Sequence, residues 1–194
     1  MHIALPSLTE DQKAAWRCFD RVLAVMVSGD ECSLNALELG LDSFPHGVDP
    51  ALNRHWLTNA IDGRAQGAVE WMAERGVNVS YVDDEGFTPL MSALQLDDPE
   101  IRVAILRLLL TAGSRHDLLG INCWTAAHFA ASCGYVDELK VLEEFGADLC
   151  ASTEDLGSWS TPFDVARCQD HTAAADYLGS ICRGMQNRKY QPNV

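Results

Sequence analysis

Three sets of residues in this chain have types and spacing that could do chemistry. His128 is a candidate general base, because an imidazole changes charge close to neutral pH. Cys168 and His171 stand at i and i+3, so on one helix they would share a face, and a thiol beside an imidazole is the beginning of a nucleophilic pair. No third group to orient them and no nucleophile motif accompanies them, so catalysis is not expected there. The acids Asp83, Asp84, Glu85, Asp97, Asp98 and Glu100 offer the hard oxygens that calcium takes. Their spacing is not that of an EF-hand loop and no glycine stands at its sixth position, so a solvated acidic rim is the expectation. The seven cysteines, Cys18, Cys32, Cys123, Cys133, Cys150, Cys168 and Cys182, are odd in number and hold no C-x-x-C pair. Neither a zinc set nor a disulfide framework is expected of them. Most fall beside small or apolar residues, where a reduced, buried thiol acts as a small hydrophobe, and that fits a cytoplasmic location. No catalytic residue, metal or cofactor is expected.

The bulk properties narrow the partner. The chain has 194 residues, 47% hydrophobic and 22% charged, with a net charge of −14. That balance is too apolar for disorder and suits one compact domain or a short repeat array. All 28 acids precede Arg183, while Arg183, Arg188 and Lys189 lie in the tail. So negative a surface repels phosphate backbones and anionic lipid, which excludes nucleic acid and membrane as partners and favours a basic protein. The longest apolar stretches, Val22 to Val27 and Leu108 to Ala112, fall far short of the roughly 20 residues of a membrane span. The first residues carry no basic leader and Pro6 breaks their apolar run, so a secretory signal is not expected.

The elements that position these residues recur. Gly86 to Ala93 reads Gly-Phe-Thr-Pro-Leu-Met-Ser-Ala, Cys123 to Ala130 reads Cys-Trp-Thr-Ala-Ala-His-Phe-Ala, and Trp159 to Ala166 reads Trp-Ser-Thr-Pro-Phe-Asp-Val-Ala. Their threonines, Thr88, Thr125 and Thr161, lie 37 and 36 residues apart. Gly76 and Gly113 each stand 12 residues before the next threonine, and Gly146 stands 15 before Thr161. Thr88 and Gly113 are 25 apart but Thr125 and Gly146 only 21, the extra residues falling at 95–100 between two helices. A threonine followed by proline is an N-cap and first-turn pair, and a glycine after an apolar run is a left-handed C-cap. Val103, Leu106, Leu109 and Leu110, then Val136, Leu139 and Leu142, give the second helices an apolar stripe. Such a unit cannot bury its apolar face alone and must stack.

These motifs are those of a known family. Asp83 to Leu90 resembles the start of an ankyrin repeat, and Ala130 to Gly134 followed by Phe145 to Leu149 resembles its middle and end. Counting 33 residues back from Thr88 gives His55, which places Leu57, Ala60 and Gly76 on pattern positions of a degraded unit over 54–82. Met91 and Asp164 replace the usual histidine, which only His128 keeps, and Cys123 and Trp159 occupy glycine positions. The resemblance covers about 55–183 and implies an all-α solenoid of stacked helix-turn-helix units. It also implies that His128 makes local hydrogen bonds rather than catalysing.

Residues 1–53 are read as an N-terminal helical cap that could be a degenerate repeat. Thr9 to Gln12 looks like a capping box before a helix carrying Trp16, Phe19, Leu23 and Met26 on one face, and a second helix, about Cys32 to Leu39, ends at Gly40. Residues 54–183 form the array of about four units, and 184–194 a polar tail. The family's partners meet its fingers and first helices, which carried over here are Asp84, Glu85 and Phe87, then Ile121, Asn122 and Trp124, with Gln95 and Ser132 on the first helices. Phe87 and Trp124 are equivalent aromatics in adjacent units, the makeup of a hot spot if exposed. The function expected is non-enzymatic protein binding, with an immunity-type inhibitor of a basic cognate protein as its sharpest form. The alternative is a regulatory or substrate-recognition subunit of an enzyme complex.

Overall fold

Threonine and aspartate side chains set where several of the helices begin, and a computed structural model describes the result for residues 8–153 and 160–189. Among these residues there are helices and turns but no β-strand, only a bridge between Val48 and His55. Trp159 and the leader region, residues 1–7, lie outside the described residues. The chain divides into two units, residues 1–78 and 79–194.

In the first unit, α1 (Glu10–Ser28) begins with the expected capping box: the Gln12 N–H donates to Thr9 Oγ1 at 3.2 Å, and Gln12 Oε1 accepts the Thr9 N–H at 2.9 Å. Its buried face differs from the one expected. Val22 and Met26 are buried, while Phe19 and Leu23 are half-buried and Trp16 is exposed. Asp30 caps α2 (Glu31–Gly40), accepting the Ser33 N–H at 2.9 Å. Then come α3 (Trp56–Asp62) and α4 (Gln66–Glu74), with α1 packed on both. Trp71 on α4 donates its indole N–H to Asn35 at 3.2 Å. Arg75, lying over the Trp71 ring, reaches Glu38 at 3.2 Å and so ties α4 to α2. Trp56 is fully buried between Phe19 and Phe44, with centroids at 6.4 and 5.8 Å.

The loop ahead of α3 is organised by one acid. Asp49 is 1% exposed, and its carboxylate accepts the N–H groups of Ala51 (2.9 Å), Leu52 (2.6 Å) and Arg54 (3.1 Å) and the side-chain amide of Asn59 (2.9 Å). A buried carboxylate is tolerated because donors replace the water it has lost.

The second unit contains α5 (Pro89–Leu94), α6 (Pro99–Thr111), α7 (Ala126–Ser132), α8 (Val136–Glu144), α9 (Pro162–Cys168) and α10 (Thr172–Lys189). Thr88 and Thr161 cap α5 and α9 through their hydroxyls, and Thr125 stands at the N-cap of α7. The glycines after α6 and α8 have φ of +88° and +83°, the left-handed conformation that ends a helix without a Cβ penalty. Helices α5, α7 and α9 pack in one row; α6 packs on α8, and α8 on α10. Leu106, Leu109, Leu110, Leu139 and Leu142 are buried as their spacing predicts, while Val103 and Val136 are half-buried. Helix α10 runs on to Lys189, beyond the Arg183 boundary expected for a tail.

Two polar features of this unit were not expected. Arg102 on α6 and Glu138 on α8 form a buried ion pair, Nε to Oε1 at 2.5 Å, with side chains 6% and 4% exposed. The same guanidinium donates to the Leu96 carbonyl at 2.7 Å and covers the Tyr135 ring at 3.8 Å, so the extra residues between α5 and α6 are fastened down. Cys150 and Cys182 form a disulfide, Cα atoms 5.8 Å apart. This corrects the expectation of an unbridged set of thiols: α10 brings Cys182 to the segment that follows α8, a proximity absent from the local spacing. Nor are the remaining cysteines buried. Cys32, Cys123 and Cys168 are exposed, Cys18 and Cys133 half-buried.

Candidate protein-binding surface

The loops ahead of α5 and α7 are two fingers, each closed by its own hydrogen bonds. In the first, Asp83 Oδ1 accepts the N–H groups of Glu85 (3.0 Å) and Phe87 (2.7 Å), and the Asp83 N–H donates to the Phe87 carbonyl at 2.9 Å. Asp83 therefore folds the tip, while Asp84 and Glu85 project into solvent. In the second, the Gly120 N–H donates to the Trp124 carbonyl at 2.8 Å, and Asn122 and Cys123 take left-handed φ of 58° and 55°. The Ile121 N–H donates to the Gly86 carbonyl at 2.5 Å, so the tips are joined directly. Gly120 permits this approach, since a Cβ there would lie 2.6 Å from both the Gly86 oxygen and the Met91 sulfur.

Beneath the tips is an apolar cluster. Met91, Trp124 and Val165 are its buried centre, with Phe87, Ile121 and Phe129 half-buried around it. Phe87 meets Phe129 edge to face, centroids 6.1 Å apart. The structure thus brings together Asp84, Glu85, Phe87, Ile121, Asn122 and Trp124, but not on equal terms. Trp124 is only 9% exposed, so the condition of exposure fails for it: after Asn122 and Cys123, both left-handed, it packs into the cluster. Phe87, the equivalent residue one unit earlier, stays half-exposed. Gln95 is exposed just past the far end of α5, and Ser132, half-buried at the end of α7, donates its hydroxyl to the Phe129 carbonyl at 2.7 Å. Phe129 was missed by sequence reasoning. Its place directly after His128 in the motif, where the other units have Ser92 and Val165, was the available signal.

The candidates for chemistry are otherwise engaged. His128 is fully buried; its Nδ1 accepts the Thr125 N–H at 3.3 Å and lies 2.8 Å from Thr125 Oγ1, and its Nε2 is 3.3 Å from the Ser160 carbonyl. Burial lowers its pKa below the usual 6.5, and the Ser160 carbonyl opposes this in part. Cys168 ends α9 whereas His171 precedes α10, with Asp170 between them at φ +58°, so the two do not share a helix face. His171 Nε2 instead lies 2.9 Å from the Ser132 carbonyl. Asp98 caps α6, accepting the Glu100 and Ile101 N–H groups at 2.9 and 3.2 Å. Among the described residues no three metal-ligating side chains are grouped to hold an ion, and no helix is long and apolar enough to cross a membrane.

Comparison with known proteins fits this geometry. No family model matches the chain. Ankyrin repeat domain-containing protein 63 of Homo sapiens is 32% identical over 95 residues, covering 49% of this chain and 24% of that protein. The protein of the same name in Mus musculus is 34% identical over 95 residues with the same coverage. The match spans 24% of the length of these curated relatives. Over those 95 residues they support an ankyrin-repeat likeness for the chain.

Proposed function

We propose that the chain is an ankyrin solenoid, its units spanning 54–183 and α1 and α2 serving as N-terminal cap, that binds a basic protein and catalyses nothing. The observation that carries this reading is the pair of joined fingers. Phe87, Ile121 and Phe129 offer half-exposed apolar surface beside the exposed acids Asp84 and Glu85 and the exposed Asn122. Aromatic surface at the centre with charge at its margin is how binding energy and steering are usually divided. The net charge of −14 supports a cationic partner; cytoplasmic residence is part of the same reading and requires that the Cys150–Cys182 bond form in a reducing surround. In its narrowest form the chain is an immunity-type inhibitor, in which case binding abolishes the partner's own activity.

The test is affinity capture on the immobilised full chain, with retained proteins identified by mass spectrometry and measured again as purified pairs. A basic protein should be retained, Phe87→Ser and Phe129→Ser should speed its release, and Asp84→Asn with Glu85→Gln should slow its association. Raising salt should act on the on-rate, since steering is screened beyond about 8–10 Å. Retained proteins that are not basic, or that ignore all four substitutions, would remove the reading. An inhibitor must also suppress the captured protein's activity at one-to-one stoichiometry; a partner that stays fully active is incompatible with the immunity form.

A further inference from the structure

The disulfide does not lie sealed in the core. Cys150 and Cys182 are both half-buried, and both line an open cavity of about 320 Å³ together with Thr161, Phe163, Gly179 and Arg183. Gly179 keeps that cavity open: a Cβ there would lie 3.1 Å from the Phe163 ring and 3.6 Å from Arg183 Nη2. Arg183 puts a cation at the mouth of a disulfide-lined space in a protein whose net charge is −14. A disulfide is an electrophile toward thiolates, and its reactivity depends on access and on how well the departing thiolate is stabilised.

We propose that this cavity is a thiol–disulfide exchange site for a small carboxylate-bearing thiol of the glutathione class. The incoming thiol loses its proton to solvent, and its carboxylate is drawn to the Arg183 guanidinium. The thiolate attacks Sγ of Cys150. A sulfur–sulfur bond forms between the small thiol and Cys150 as the Cys150–Cys182 bond breaks. Cys182 departs with the electron pair and takes a proton from water. One disulfide replaces another, so no further oxidant or reductant is needed. Arg183 lines the same cavity as both sulfurs, and a nearby cation stabilises the departing thiolate. Exchange removes the covalent tie between α10 and the segment after α8. It leaves α10 held by the buried Ala174, Ala175 and Leu178 and by the Tyr177 hydroxyl, which donates to Glu143 at 2.5 Å. The site is independent of the partner-binding surface.

The experiment uses the oxidised full chain, treated in parallel with reduced glutathione and with 2-mercaptoethanol, a neutral thiol. Samples are quenched with acid, free thiols are alkylated, and adducts are located by peptide mass spectrometry. Reduced glutathione forms no adduct with a free thiol, so any adduct reports a pre-existing disulfide. The expected product is a glutathione adduct on Cys150 with Cys182 newly alkylated. Arg183→Glu should slow the glutathione reaction about thirtyfold, the effect of a two-unit change of nearby charge in water, and the 2-mercaptoethanol reaction, which brings no carboxylate, markedly less. Arg183→Lys should retain the parent rate. Gly179→Ala should slow the larger thiol more than the smaller, with melting curves confirming that each variant is folded. Equal slowing of both thiols by Arg183→Glu, or slowing of neither, overturns the proposal. So does an oxidised chain in which all seven cysteines are alkylated without prior thiol treatment.

Discussion

At the start of α7, Thr125 and the buried His128 hold each other, and the far side of the imidazole reaches Ser160 in the segment leading to α9. At the start of α3, His55 stands where the pattern has threonine, and the work is done upstream by Asp49, whose carboxylate gathers three backbone N–H groups and the Asn59 amide. Both arrangements satisfy backbone donors near the beginning of a helix, the first at the N-cap itself, the second in the loop before His55, an N-cap without a side-chain hydrogen bond. They differ in what they depend on. The α7 arrangement uses an imidazole whose pKa burial lowers, and it reaches across to the segment leading to α9. The α3 arrangement uses a carboxylate and acts within its own loop. Helix α3 thus begins without a side-chain cap, its entry held by the loop that Asp49 fixes.

Substitutions sharpen that contrast. The largest effect is expected where the α7 start joins the core. Trp124→Ala should lower the unfolding free energy by about 3–5 kcal/mol, read from urea denaturation, and any loss of partner binding should follow the loss of fold. A variant of parental stability would return Trp124 to the solvent-facing edge. Asp49→Ala should cost about 3 kcal/mol, because several donors lose a charged acceptor at once. A cost below about 1 kcal/mol would mean that water replaces the carboxylate, and the contrast between the two starts would collapse. Thr88→Ala removes a single cap bond, to the Met91 N–H at 3.2 Å, and should cost about 1 kcal/mol.

The smallest effect is the pH dependence of the α7 start. Burial lowers the His128 pKa below 6.5. As pH falls past 6.5 the unfolded imidazole takes up a proton while the native one does not, so protons favour unfolding. Stability from this group is complete above about pH 6.5 and is lost as pH falls from there through the lowered native value. Subtracting the pH profile of His128→Gln from that of the parent isolates the contribution. The difference should shrink as pH falls below 6.5; one that grows in that direction would reverse the sign and refute the account.

Much of the helical framework was legible in the sequence, because it is written in local signals. The caps at Thr9, Thr88 and Thr161 and the glycines ending α6 and α8 each act over a few neighbouring residues, so their types and spacing suffice. What escaped notice is long-range. Arg102 and Glu138 are 36 residues apart, and Arg102 reads as an ordinary helix base until α6 is laid against α8. Only their separation by about one repeat, with opposite charge, hinted at the pair. Cys150 and Cys182, 32 apart, carry no motif. Asp49 looks like a loop acid before proline. The equivalence with Phe87 left the burial of Trp124 open, since a finger position fixes the backbone address and not the direction of the ring. Phe129 stayed hidden because its neighbour His128 drew the reading toward chemistry.

The buried pair of Arg102 and Glu138 also bears on how such a chain can be copied. Arrays of similar modules lengthen and shorten when one module is duplicated or deleted, and an apolar seam would accept almost any copy beside any other. Here the seam distinguishes them. Were a second α5–α6 set in place of α7–α8, an isoleucine would stand where the Glu138 carboxylate does: Ile101 when the helices are aligned by their first residues, Ile105 when aligned by their closing glycines. The guanidinium of the preceding copy would then be enclosed without its counter-charge, at a cost of about 3–5 kcal/mol. One ion pair gives these two modules a fixed order.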